Sequence, residues 1–521
     1  MKKLLRNNNQ INTKIFLTIL QLFVMGIVSG QTTIPYEVIN NSPHFSDNEI
    51  YIGLVGQTTS LGAVWIDFNT NAANAPALIP INETYNTIHI EPGDWGYADM
   101  FTPLSEITDG TLHIPAIFGC RMYISFVNPM YIHFFDSGGY TGPDLQNPAD
   151  PNSNIRFEII ELTWSSAGLW TNTTRVDAYQ YPMGLEIWGT FESNNAYKKA
   201  GELISHEEII NLFQQAFPIG DDFYPCYSEN DLIGPSNLPG IIEQPSKLEE
   251  FKEGGVSEFY FQDYIDAVWS YFKDNELAVS IPNWGVFRGY VEEGTDILKM
   301  SNENNVEAWI NGRPNTQEVI EAKGKLAENV LETPSNDADL VFQAQFCAAM
   351  NRGVIDYTLA SGVVQDWGNE TNFFNANFTH NKYVAFFHQP NITYDSKTYA
   401  FAYDDVFDQS STLQTSIPDH ARITIGGFYD YSLGITENTT DSILTITYPN
   451  PTSDYVMLSI TDSALTDLSY SLFDISGKAL ANGKITAADT KIEMGNLPLA
   501  TYILKVNQNN KELKTFKIIK K

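Results

Sequence analysis

The sequence predicts a mainly β protein with a mixed α/β subdomain, divided into more than one domain. Three observations carry this. Short apolar alternations broken by Gly, Pro, Asn and Asp fill residues 34–189, helical periodicity begins only after residue 200, and residues 443–521 differ in charge from everything before them. At 521 residues the chain exceeds one ordinary core. Hydrophobic residues make up 43% and charged residues only 18%, a balance that builds large cores and excludes a mainly disordered chain.

Residues 1–30 read as a signal peptide: Lys2, Lys3, Arg6 and Lys14, then an apolar run from Ile15 to Val28, then Ser29-Gly30. That run is too short for a bilayer, which takes about 20 residues, so cleavage near Gly30 and a mature protein without a membrane span are expected. The body, 31–434, divides into a β part at about 31–194 and a mixed α/β part at about 195–434. In the β part, Ile50-Tyr51-Ile52-Gly53-Leu54-Val55 and Arg121-Met122-Tyr123-Ile124-Ser125-Phe126 alternate as sandwich or barrel strands do. Beyond it, Ser205-His206-Glu207-Glu208 has the form of a capping box and opens a helix. Further helices are predicted over 261–274, with Ile265, Val268, Trp269 and Phe272 on one face, and over 340–351. Strands are predicted at 277–281 and 384–387. Residues 435–442 read as a linker, and 443–521 as a small antiparallel β-domain.

Composition also bounds the partners. Residues 31–442 hold 17 basic and 56 acidic side chains, against 9 and 7 in 443–521. So acidic a body is no partner for nucleic acid, which is bound through clustered Lys and Arg. Cys120, Cys226 and Cys347 allow at most one disulfide, and neither they nor the dispersed histidines have metal-ligand spacing, so no metal and no cofactor is expected. Cys347 sits in an apolar helical run and reads as core. A monomer is the expected state.

In the tail, Tyr448-Pro449-Asn450-Pro451, Leu472-Phe473-Asp474-Ile475-Ser476-Gly477-Lys478 and Leu497-Pro498-Leu499-Ala500-Thr501-Tyr502 precede a lysine-rich end. In these motifs the tail resembles the type IX secretion C-terminal sorting domain. The resemblance implies export by the type IX machinery of a Gram-negative bacterium, with the tail removed and the body released or held at the cell surface.

The chemistry-bearing pattern lies in the β part. The segment 154–164 reads as a strand whose alternation puts Phe157, Ile159, Glu161 and Thr163 on one face. A loop over 165–173 and a returning strand over 174–179, symmetric about Leu169, would set Asp177 opposite Glu161. Two carboxylates on an open face are what glycoside hydrolysis needs, one as acid and one as base or nucleophile. A directly opposed pair has Cβ atoms only about 4.5–5.5 Å apart, too close for a water between sugar and base unless the side chains splay or the register is offset. Glu158 is the nearby decoy and should point to the other face.

Glu161-x-Thr163 with Asn172-x-Thr174-x-Val176-Asp177-x-x-x-x-Pro182 resembles glycoside hydrolase family 64. Pro282-Asn283-Trp284-Gly285 with Gly289-Tyr290, Cys347 to Gly353, Asn381-Lys382-Tyr383 with His388, and Tyr399-Ala400-Phe401-Ala402-Tyr403-Asp404-Asp405 follow in the family's order. The resemblance implies a thaumatin-like β-barrel or sandwich and an α/β domain flanking a wide groove. It implies endo-acting cleavage of β-1,3-glucan with inversion, releasing short laminari-oligosaccharides such as the pentasaccharide. Glu161 then matches the general acid and Asp177 the general base, while Thr163, Trp170, Thr174, Asp404 and Asp405 match substrate-binding positions. Ser165 departs from the asparagine expected in related enzymes. A buried network is as good a reading for Asp404 and Asp405, and structural roles are favoured for Asn283, Trp284 and His388. Two rivals from other classes are a non-catalytic thaumatin-like glucan-binding protein and a surface adhesin.

Overall fold

The computed structural model describes residues 33–68, 76–90, 95–192, 194–229, 232–331, 338–430, 444–448, 452–460, 468–474, 477–487, 489–508 and 511–521. The signal peptide and linker expected at 1–30 and 435–442 lie outside the described residues. The chain divides into two units, Met1–Tyr429 and Asp430–Lys521.

The β part of the first unit is built around two large sheets. One runs in the order Asn194–Gly201, Met183–Phe191, Ile417–Ile425, Thr33–Asn40, Thr111–Pro115, with the first and last strands of the unit paired in parallel, Val38 against Ile423. The other runs Leu413–Thr415, Gly168–Thr173, Phe157–Ser165, Ile117–Phe126, Ile50–Thr58, Gly62–Asp67, Ala77–Pro80. Between them lies a core that includes Ile160, Leu162, Met122, Leu185, Ile187 and Ile423. Both sheets end in edge strands, so among the described residues the arrangement is an open sandwich and the barrel alternative falls away. Ser416 alone separates Leu413–Thr415 from Ile417–Ile425, so the chain passes between sheets at a corner instead of closing a ring.

The second sheet is apolar on both faces at one end. Even-numbered Ile160 and Leu162 enter the sandwich core, while odd-numbered Phe157 and Ile159 join Val55, Trp65, Tyr123, Met130 and Phe134 in a separate outer core. That outer cover stops short of Glu161, whose side chain remains 29% exposed. A strand that is covered, then open, along one face is what presents this carboxylate.

The α/β part has a five-stranded sheet, in the order Glu307–Ile310, Leu298–Asn302, Gly285–Val291, Leu277–Ile281, Val364–Gln365. The helices Gln262–Asp274 and Ala338–Arg352 pack on it through a core containing Trp269, Phe287, Phe342 and Phe346. The predicted helix after Ser205 forms as His206–Ala216, with the Ser205 side chain accepting from the Glu208 N–H at 3.2 Å. The strand predicted at 384–387 is instead the helix Lys382–Phe387. Asn381 caps it, accepting from Tyr383 N at 3.1 Å and Val384 N at 3.3 Å, and a short apolar run carries no period strong enough to oppose that cap. All three cysteines are buried and free.

The second unit contains two antiparallel sheets. One pairs Leu444–Tyr448, Tyr455–Ile460 and Asp489–Glu493; the other runs Ala479–Lys484, Leu468–Asp474, Thr501–Gln508, Lys511–Ile519. Val456, Leu458, Leu472, Ile492, Leu504 and Ile518 share one core.

Candidate active site

The hairpin that carries Glu161 turns earlier than its sequence suggests. Ser165 pairs with Gly168, so the turn holds only Ser166 and Ala167, and the returning strand is Gly168–Thr173 rather than 174–179. Gly168 has φ of 131°, and a Cβ there would lie 2.4 Å from the Thr415 carbonyl oxygen, so the neighbouring strand admits only glycine. Glu161 consequently faces Asn172, and Thr163 faces Trp170; the predicted direct opposition of Glu161 and Asp177 does not form. Asp177 lies beyond the strand end, immediately before Ala178–Tyr179. The register is offset, which removes the crowding that a directly opposed pair would impose.

Glu161, Thr163, Trp170 and Asn172 share the outer face. Arg121, missed by the sequence reading, stands opposite Glu161 on the other flanking strand, its Nε 3.5 Å from Glu161 Oε1. Asn172 donates from Nδ2 to Glu161 Oε2 at 3.5 Å, and its buried Oδ1 has no partner among the described residues. The Trp170 indole is steadied by its N–H, which donates to Gln414 at 3.0 Å, and its ring stays partly exposed. Thr163 Oγ1 accepts from Gly119 N at 3.1 Å beside a break in register between Leu162 and Trp164. Thr174 Oγ1 accepts from Val176 N at 3.3 Å. Both residues are buried, and each hydroxyl retains its proton and a second lone pair for a ligand.

Asp177 is held from several directions. Its carbonyl oxygen accepts from Gln244 N at 3.0 Å, continuing the pairing of Ala178 with Glu243, and Lys247 Nζ lies 2.5 Å from its Oδ1. Two residues back, fully buried Arg175 pairs with Glu158 and, at 2.8 Å, with Glu202. Arg175 N donates to Tyr399 O at 2.7 Å, and Tyr383 Oη donates to Arg175 O at 2.8 Å. Burial pushes the Asp177 carboxyl up, but the Lys247 ammonium, with Arg121 beyond it, outweighs this and holds it below the usual range. Glu158, expected on the other face of its strand, is buried at 2% exposure and directed into this network.

Asp404 is a correction to the set of expected sugar contacts. It is fully buried, with Oδ1 on Arg352 at 3.0 Å and Oδ2 on His388 at 2.9 Å and Ala400 N at 2.9 Å. Adjacent Asp405 reaches solvent, yet the protein packed around its carboxyl strips part of its hydration and, with the Asp404 charge, pushes it up to about 6. The 399–405 segment is joined to the site through Tyr399, whose carbonyl accepts from Arg175 N two residues beyond the strand Gly168–Thr173.

Burial pushes Asp404 up as well, yet His388, Arg352 and the Ala400 N–H hold it low. A carboxylate depressed by folding contributes stability that is present above its unfolded value, about 3.9, and is lost as pH falls through the folded value. Asp404→Asn should therefore destabilise the protein by about 3–5 kcal/mol in denaturant unfolding, because Arg352 is left buried and uncompensated, while KM for polysaccharide is unchanged. A raised KM at unaltered stability would return Asp404 to the ligand-contacting set.

Among the described residues no three His, Cys, Asp or Glu side chains converge as a metal-ligand set, and no helix is long and apolar enough to cross a membrane.

An open β face bearing one carboxylate, with a second carboxylate fixed at its margin, has the parts of a glycosidase site. The family profile described as "Beta-1,3-glucanase" matches residues 32–425, and the chain belongs to this family, glycoside hydrolase family 64. A second profile, "Secretion system C-terminal sorting domain", matches residues 446–521. The chain is similar to the β-1,3-glucanase domain from Clostridium beijerinckii, a solved structure, at 30% identity and a TM-score of 0.63, covering 77% of this chain and 100% of that one. It also resembles the glucan endo-1,3-β-glucosidases of Arthrobacter sp. (strain YCWD3), 24% identical over 327 residues, and Cellulosimicrobium cellulans, 25% over 334. Each alignment covers 61% of this chain and 54% of the relative, so the chain spans about half the length of these curated relatives. A laminaripentaose-producing β-1,3-glucanase in complex with laminaritetraose shares the fold, with a TM-score of 0.58 at 23% identity.

Proposed function

We propose that this protein is an endo-acting β-1,3-glucanase that works with inversion, with Glu161 as general acid and Asp177 as general base. It is exported by the type IX machinery through its C-terminal domain and acts outside the cell or at its surface. The observation that carries the reading is the unequal treatment of the two carboxylates. Asp177 is clamped by a lysine that keeps it ionised, as a base requires, whereas Glu161 sits on the open face.

In this mechanism protonated Glu161 gives its proton to the glycosidic oxygen as the C1–O bond breaks. Asp177 takes a proton from the water that attacks C1 on the opposite face of the ring, and the sugar leaves as the α-anomer. The two carboxyl groups should stand about 6.5–9.5 Å apart to admit that water. Arg121 faces the carboxylate that Glu161 becomes after giving up its proton. Trp170 offers a ring face to a glucose unit, and Thr163, Thr174 and exposed Asp405 supply further polar contacts. Short laminari-oligosaccharides, such as the pentasaccharide, are the expected products.

The test is time-resolved NMR of the full chain acting on linear β-1,3-glucan. Short products appearing first as the α-anomer support the reading. The β-anomer appearing first would reassign Asp177, and binding without products would make the chain a glucan-binding protein.

A further inference from the structure

An exposed Lys–Asp pair is ordinarily worth little, because water competes and a long side chain must be ordered. The pair at Asp177 is different because its lysine is placed by the same backbone that places the aspartate. Ala178 pairs with Glu243, so Asp177 and Gln244 are neighbours across that ladder, and Gln244 N donates to Asp177 O at 3.0 Å. Gln244 then starts the turn Pro245–Lys247: its side-chain oxygen accepts from Ser246 N at 2.5 Å, and its carbonyl accepts from Lys247 N at 2.9 Å. Pro245 fixes one φ within that turn. The side chains of Lys247 and Asp177 are only 35% and 39% exposed, and Nζ meets Oδ1 at 2.5 Å.

We propose that Lys247 is a positioning residue for Asp177: it occupies Oδ1 so that Oδ2 faces the attacking water, and it keeps the carboxylate ionised when an uncharged polysaccharide displaces water from the site. This rests on Asp177 being the general base. Among the described residues, the other charged or titratable groups whose charges act on Asp177 or respond to it include Arg121 and Tyr123 from the strand Ile117–Phe126, and Tyr383 from the helix Lys382–Phe387. Arg175, though two residues away, is directed to Glu158 and Glu202. Lys247 is thus the cation in direct contact, and Arg121 acts from farther off and is shared with Glu161.

The sign follows from the charge. A neighbouring cation lowers a carboxyl, so removing it raises the value, and the acid limb of kcat/KM, which reports the free enzyme, should move to higher pH. Lys247→Met keeps the stem and removes the charge; the expected shift is about one pH unit or more, with kcat falling and the affinity for β-1,3-oligosaccharide unchanged. Lys247→Arg should restore the limb. In an Asp177→Asn background, Lys247→Met should cause no further loss, since its effect passes through Asp177.

An unmoved acid limb in a folded Lys247→Met enzyme would overturn the proposal, as would an equal loss in both backgrounds. Asp177→Asn separates this from failure of the parent reading. If that variant alone turns over like the wild type, Asp177 is not the base; if it is inactive and the Lys247→Met limb is unmoved, only the role of Lys247 falls.

Discussion

Glu161→Gln should lower kcat by about 10²–10⁴-fold while leaving the affinity for β-1,3-glucan nearly intact, since general acid catalysis contributes on this scale. Glutamine preserves the shape that meets Arg121 and Asn172 but cannot release a proton to the leaving oxygen. The loss should therefore depend on the leaving group. An aryl glycoside that departs as a stable phenolate needs little protonation and should recover much of the rate, whereas the polysaccharide should not. A variant that keeps polysaccharide turnover within about tenfold of wild type would remove Glu161 from the acid role, because even weak acid catalysis is larger than that. Unchanged unfolding behaviour would separate lost chemistry from lost structure.

Arg175→Met should strongly destabilise the protein, costing about 3–5 kcal/mol in denaturant unfolding. Arg175 is fully buried between Glu158 and Glu202, and these carboxylates also organise backbone. Glu158 accepts from Gln180 N and Tyr181 N, each at 2.7 Å, and Glu202 accepts from Met183 N at 2.8 Å. Without the guanidinium two negative charges remain out of water, so the loss exceeds the value of the pair itself. Turnover should fall with stability, because Asp177 follows two residues later on the same segment. Replacing Glu158 and Glu202 by glutamine in the Arg175→Met background should recover part of the stability. Unfolding unchanged by Arg175→Met would show that the network is not what anchors this segment.

What was legible in the sequence is what a short period encodes. Alternation over 157–163 was enough to send Ile160 and Leu162 to one face and Glu161 and Thr163 to the other. Helical spacing identified the buried face of Gln262–Asp274, and the apolar run around Cys347 identified a further helix. The same reasoning misplaced the returning strand. Alternation specifies faces but not register, and register here depends on a two-residue turn and on Gly168 passing the Thr415 carbonyl, an atom 247 positions away in the chain. Asp404 and Asp405 show the same limit: the residues are adjacent, yet one is sealed by Arg352 and His388 and the other reaches solvent.

Local pattern thus sufficed for the β class of the body, the separate tail, and the exposed face on which Glu161 stands, since each follows from contacts between near neighbours. The offset between Glu161 and Asp177, the burial of Asp404, and the seating of Arg121 and Lys247 beside the carboxylates were decided by folding. Charges act through space, and the partners that set a carboxylate's ionisation come from strands and turns tens of residues away, whose approach no local periodicity records.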